Sequence, residues 1–331
     1  MPEAVAVISN PWVLSVLVFI GCLITGPVFI PILRKLKFGQ TIRDDGPSTH
    51  QIKAGTPTLG GIIFLIPAVF AFAFASIHSI EILPMALVMI GFGIIGLIDD
   101  LIKILKKSKD GLSASQKTVG LLLVATIYTT YLAMTDSSAL HMLLPLTGLN
   151  GVIQLPVWLY IPFTIFVFYA TTNAVNLTDG VDGLAASITF IVLLFFLLIS
   201  TLISEDSTIS IFSAVMAGGC LGFLVFNRYP ARVFMGDCGA LALGGAVSVL
   251  AVSLKIHWVI LIAGFVYVVE ALSVVIQVVS YKTRRVRVFR MTPIHHHYEL
   301  GGWSEKKIVL AFSVVTVICC VCASLLVLAV L

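Results

Sequence analysis

Apolar stretches of about twenty residues alternate with short polar clusters along nearly the whole chain. Ten of them fall at 12–33, 58–77, 83–104, 117–134, 157–174, 184–203, 209–227, 238–254, 258–280 and 308–330. Each approaches the ~20 residues that a helix needs to cross a bilayer, where backbone polar groups must satisfy one another. Pro162 interrupts the fifth, and the eighth is rich in small residues, so these two carry the weakest pattern. The pattern predicts an all-α, polytopic integral membrane protein with ten transmembrane helices, organised as one domain over residues 1–331. The first stretch has an acidic flank with Glu3 and no small-residue cleavage site after it, so it reads as a span and not as a cleavable signal.

Composition agrees: 59% of residues are hydrophobic and only 11% are charged, against roughly 25% charged in soluble domains. The charge is also one-sided. With ten spans and both termini outside, every Lys and Arg except Lys255 falls in an inner loop or at an inner helix end. Such a bias sets orientation under the positive-inside rule, and places the basic face in the cytoplasm. Five of the six cysteines lie within the apolar stretches and Cys238 opens another; none has metal-ligand spacing, so they read as small core or lipid-facing residues.

The unusual polar clusters all fall on that basic side. Asp99 and Asp100 end the third stretch, with Lys103 one turn later. Adjacent like charges repel and carboxylates near hydrocarbon are costly, so a cation or a shared divalent metal is needed to resolve them. NLTDGVDG adds Asp179 and Asp182, with Gly180 and Gly183 permitting close backbone approach, and FMGDCG adds Asp237. Five aspartates beside Lys53, Lys103, Lys107, Lys117 and Arg290 suit a metal-bound polyphosphate, because Mg²⁺ takes oxygen ligands from carboxylates and phosphates. In PIHHHYE, transition-metal binding competes with phosphate hydrogen bonding by His295 and His296, and the oxygen-rich surroundings favour phosphate. Gly91, Gly93 and Gly96 match a dinucleotide-binding spacing but lie inside a span with no preceding strand, so they read as helix-packing positions, as do Gly218 and Gly222. The sequon at Asn176 faces the cytoplasm in this topology. Glu270, within the ninth stretch, either pairs across helices or marks a break. An ion-coupled transporter is the competing class; the absence of a two-fold repeat and the one-sided aspartates argue against it.

HQIKAGTPTLGG, IDDLIK, NAVNLTDGVDGLA, PARVFMGDCGALALGG and MTPIHHHYE, in this order from residue 50 to 299, together resemble the phospho-N-acetylmuramoyl-pentapeptide transferase (MraY) family. The resemblance implies a Mg²⁺-dependent, ten-helix homodimer in the bacterial cytoplasmic membrane, with its active site facing the cytoplasm. Its partners would be UDP-N-acetylmuramoyl-pentapeptide, undecaprenyl phosphate and the lipid bilayer, with no nucleic acid. Carried over by motif, the catalytic residues would be Asp99, Asp100, Asp237 and His295, with Asp237 and Asp100 holding the metal. Lys53, Lys103, Lys107, Lys117, Asn173, Asn176, Asp179, Gly180, Asp182, Asn227, Phe234, His296 and His297 would bind substrate. The chain departs from the family pattern at Cys238, Ala240 and Leu59, where Thr, Ser and Met are expected.

Overall fold

The computed structural model describes residues 10–35, 55–106, 108, 110–145, 151–203 and 207–329. The chain is helical almost throughout: α1 (Pro11–Lys35), α2 (Ile62–Ala75), α3 (Ile82–Lys106), α4 (Ala114–Thr135), α5 (Val157–Thr178), α6 (Leu184–Ile203), α7 (Ser207–Asn227), α8 (Gly236–Ser253), the single turn α9 (Ile260–Ala263), α10 (Phe265–Arg284), the short α11 (Ile294–Glu299) and α12 (Glu305–Leu328). Among the described residues nine of these are long and apolar enough to cross a membrane, so the protein is a multi-pass membrane protein. The all-α expectation needs one amendment, a small antiparallel hairpin of β1 (His141–Leu143) and β2 (Val152–Gln154).

The second predicted span is shorter than expected. At 14 residues, α2 rises only about 21 Å. Its intended first turn is spent elsewhere: Phe234 N–H donates to Pro57 O, Gly60 N–H to Phe234 O and Gly61 N–H to Met235 O, all at 2.8 Å. TPTLGG is thus a clamp on the segment that leads into α8. At its other end, α2 turns beside the start of α7, where the Ser79 and Thr208 hydroxyls lie 2.7 Å apart. The ninth predicted span is also divided, with Gly264 separating α9 from α10.

The core centres on α8, whose residues from Cys238 to Val252 are all buried. α3 runs antiparallel to it, and Gly93 and Gly96 place α3 against Ala242 and the Asp237 backbone, as expected of packing glycines. Gly218 and Gly222 of α7 likewise meet Ser15 and Cys22 of α1. Helices α5, α6 and α7 complete the surround. In contrast, α1, α10 and α12 expose long apolar faces, including Ile24, Val275 and Leu310, which suit a lipid solvent and not water. The cysteines are free, and four of them (Cys22, Cys220, Cys238, Cys320) are buried.

Candidate functional site

Three helix ends converge at one end of the bundle: the last turns of α3 and α5 and the first turn of α8. Gly236, the first residue of α8, has φ +75°, a left-handed conformation that favours glycine. A Cβ there would meet Asp100 Oδ2 at 2.6 Å, so the glycine also makes room for the carboxylate. Asp100 Oδ2 accepts the Cys238 N–H at 3.0 Å, which satisfies one of the free donors of the α8 N-terminus. That contact uses the Cys238 backbone and not its side chain.

Asp99, Asp100 and Asp237 each turn an oxygen inward, and these oxygens lie within 4.8 Å of one another. Lys103 holds the repulsion in check. Its ammonium is 2.6 Å from Asp99 Oδ2, 2.5 Å from Asp237 Oδ2 and 4.0 Å from Asp100 Oδ1. Lys117, from α4, reaches Asp237 Oδ2 at 3.3 Å, and Asn176 of α5 donates to Asp237 Oδ1 at 2.5 Å. The remaining oxygen of Asp99 accepts the Leu112 N–H at 2.6 Å. Three carboxylates of hard oxygen character, gathered around a cation, are a donor set that fits Mg²⁺.

Asp179 follows α5 directly. Burial, together with the negative charges of Asp237, Asp100 and Asp182, pushes its carboxyl well above the usual carboxylate range. Asp182, at the other end of the same loop, is tied into the scaffold: its Oδ2 accepts the Ala231 N–H at 2.9 Å and its own N–H reaches Glu305 Oε2 at 3.2 Å. Asn227 is equally committed, accepting from Gly183 N–H at 3.0 Å and donating to Val233 O at 2.9 Å. Phe234 contributes its backbone to the clamp described above, and Asn173 donates to Tyr169 O within its own helix at 2.7 Å. Lys53 and Lys107 lie outside the described residues.

The histidine run divides three ways. His295 is fully buried, with Nδ1 3.1 Å from Oε1 of Glu270, itself fully buried in α10. Its backbone N–H points at the other carboxylate oxygen, at 3.4 Å. The far edge of its ring lies so close to Gly180 that no Cβ fits between them. His296 Nδ1 is 3.0 Å from Glu299 Oε2, and His297 Nδ1 accepts the Arg290 N–H at 3.2 Å. Nδ1 of His295 and Nδ1 of His296 thus each face a carboxylate of the protein. Glu270 was missing from the sequence-derived site; an ionisable residue amid an apolar stretch was its only signal, and pairing across helices is the option the structure takes.

Residues 82–255 match the family described as Glycosyl transferase family 4. Over 306 residues the chain is 55% identical to a phospho-N-acetylmuramoyl-pentapeptide-transferase of Acetivibrio thermocellus, covering 92% of each chain. A protein of the same description from Clostridium novyi is 49% identical over 308 residues, covering 92% of this chain and 94% of the relative. One from Clostridium beijerinckii is 45% identical over 329 residues, covering 97% and 98%.

Proposed function

We propose, from the premise that the chain belongs to the phospho-N-acetylmuramoyl-pentapeptide-transferase family, a mechanism centred on the three convergent helix ends. The enzyme moves phospho-N-acetylmuramoyl-pentapeptide from its UDP carrier to undecaprenyl phosphate, producing lipid I and UMP for peptidoglycan synthesis. The observation that carries the mechanism is the meeting of Asp99, Asp100 and Asp237 with Lys103 and Lys117 where three helices end.

Asp100 and Asp237 would hold Mg²⁺, which when bound neutralises phosphate charge. The chain's own residues do the rest. A phosphate monoester has a second pKa near 6, so the lipid phosphate is largely a dianion at neutral pH. Asp99 takes the remaining proton from the monoanionic fraction of the lipid phosphate, and a phosphate oxygen attacks the sugar-side phosphorus in one step, its bond to UMP breaking as the new P–O bond forms. Lys103 and the Leu112 N–H hold Asp99 by both of its oxygens, which orients it beside Asp100 and Asp237. Lys103 and Lys117 offset charge on the transferring and leaving groups, so catalysis is positioning and electrostatics. His295, shielded by Glu270, fixes the Asp179–Gly180 turn from behind.

Ten crossings, with α2 as the short second one, and both termini outside accord with the one-sided Lys and Arg distribution and with the α2 contacts at both of its ends. The site then opens to the cytoplasm, and the chain works as a homodimer. Purified protein in detergent should release UMP from UDP-N-acetylmuramoyl-pentapeptide only when undecaprenyl phosphate and Mg²⁺ are both present; release without the lipid would instead indicate a covalent aspartyl intermediate. Single cysteines at Ser108 and Ser304 should resist an impermeant thiol reagent in intact cells while one at Ser207 labels. Labelling at Ser304 would reverse the orientation.

A further inference from the structure

A cleft of about 750 Å³ opens at the same end of the bundle as the aspartates; Asp182 lies in its lining, whereas Asp99, Asp100 and Asp237 do not. Its floor is the turn from Asp182 to Gly183 with Ser187 of α6. One wall is Leu224, Val225 and Arg228, and the other is Lys306, Val309 and Leu310 of α12. Its polarity is layered. Arg228, Arg232, Lys306 and Tyr229 lie where α7 has ended and α12 has just begun, whereas Leu224, Val225, Val309 and Leu310 lie within those helices. The apolar wall continues away from the mouth through exposed Leu221 and Val314. A ligand for this shape is anionic at one end and hydrocarbon at the other.

The cations are held ready. The Arg232 guanidinium lies 4.9 Å above the Phe226 ring and donates to Val225 O at 3.1 Å, leaving further N–H groups for an acceptor. The Lys306 ammonium lies 5.4 Å above the Tyr229 ring. Asp182, the acidic residue in the lining, has Oδ2 turned to the Ala231 N–H. Basic pockets between helix ends on the cytoplasmic side suit anionic lipid headgroups. None of Asp99, Asp100, Lys103, Lys117 or Asp237 lines the cleft, so its occupant is not the reacting lipid phosphate.

We infer that this cleft binds an anionic phospholipid of the surrounding bilayer, its phosphodiester among Arg228, Arg232 and Lys306 and an acyl chain along Leu224 and Leu310. The bound lipid braces the turn whose opposite end carries Asp179. The site rests on its own geometry, and its binding test is independent of the transfer reaction.

The test uses the full chain in nanodiscs of phosphatidylcholine, with or without phosphatidylglycerol. Phosphatidylglycerol retained per protein after detergent extraction is measured by mass spectrometry, and UMP release is measured separately. The wild type should retain phosphatidylglycerol over phosphatidylcholine and turn over faster with it. The Arg228→Gln/Lys306→Gln double variant should lose roughly 30-fold in that preference, the worth of two interfacial cations, and lose the rate response while keeping its rate in phosphatidylcholine. Leu310→Trp, which fills the apolar wall without changing charge, should also reduce retention. Lys282→Gln/Arg284→Gln, on the basic end of α10, should not. Equal retention by the Arg228/Lys306 variant and the wild type would overturn the site. So would displacement of the lipid by soluble glycerol phosphate, which would make the cleft a free-phosphate site. An unchanged rate response in that variant would overturn the bracing.

Discussion

The two ends of α8 sit in the same core but are held by opposite chemistry. At its first turn Asp237 is gripped by Lys103, Lys117 and Asn176, beside two further carboxylates. At its last turn no carboxylates are bunched: the Tyr128 and Ser253 hydroxyls are 3.3 Å apart, Leu143 N–H donates to Lys255 O, the Trp258 indole donates to Leu143 O at 2.5 Å, and the Lys255 ammonium donates to Ser138 Oγ at 2.7 Å. That end is seated without like charges placed together, so the cluster of carboxylates at the first turn is not there for stability. Bunched carboxylates are an electrostatic expense that only chemistry requires, and the two ends should respond differently when altered.

The largest effect is expected at Asp237. Asp237→Asn should reduce turnover by about a thousandfold or more, the scale of losing a principal electrostatic group, while the melting temperature of the detergent-solubilised protein stays level or rises. Asp99→Asn and Asp100→Asn should behave alike. Retained turnover with a large drop in melting temperature would make the two ends equivalent and dissolve the contrast. Next comes the support behind the site. Glu270→Gln should lower turnover by about 10- to 100-fold, as loss of an outer support typically does, and raise the Mg²⁺ concentration needed for half-maximal rate. A simple loss of folded protein would scale the rate at every Mg²⁺ concentration instead.

At the opposite end, Trp258→Phe should cost about 0.5–1.5 kcal/mol of stability through one lost hydrogen bond, with UMP release per folded molecule unchanged. The smallest effect is that of Asp179→Asn in metal-free protein. The fold holds a proton on Asp179 more tightly than the unfolded chain does. Its charge therefore opposes folding as pH rises above the ordinary carboxylate range, and fully so once the pH exceeds the raised native value. The amide should raise the melting temperature by a few degrees at alkaline pH. That gain should vanish as the pH falls below the usual carboxylate range. A gain independent of pH would remove the electrostatic explanation.

The span pattern was legible because burial in lipid demands long apolar runs, and Asp99, Asp100 and Asp237 because carboxylates at the ends of such runs are conspicuous. Three parts of the fold were hidden, the small β1–β2 hairpin among them. TPTLGG reads as the start of a span by composition, yet its backbone pairs with Phe234 and Met235, a long-range choice no local pattern encodes. Gly264 reads as one more small residue in an apolar run, and only the structure shows that it separates α9 from α10. In the site, the order HHH does not tell which ring faces Glu270, which Glu299 and which the Arg290 backbone, because that depends on the short helix α11 being docked.

The distance along the chain between Asp100 and Cys238, 138 residues, bears on how the protein is made. Synthesis runs from the N-terminus at about 5–20 residues per second, so α3 is finished several seconds before α8 exists. During that interval Asp99 and Asp100 have neither the α8 N-terminus nor the clamp between Pro57 and Phe234. Lys103, on their own helix, is available from the start, four residues from Asp99 and three from Asp100. The nascent helix thus carries its own counter-ion into the bilayer. The lysine that later serves the finished site first serves as escort to the carboxylates it will work beside.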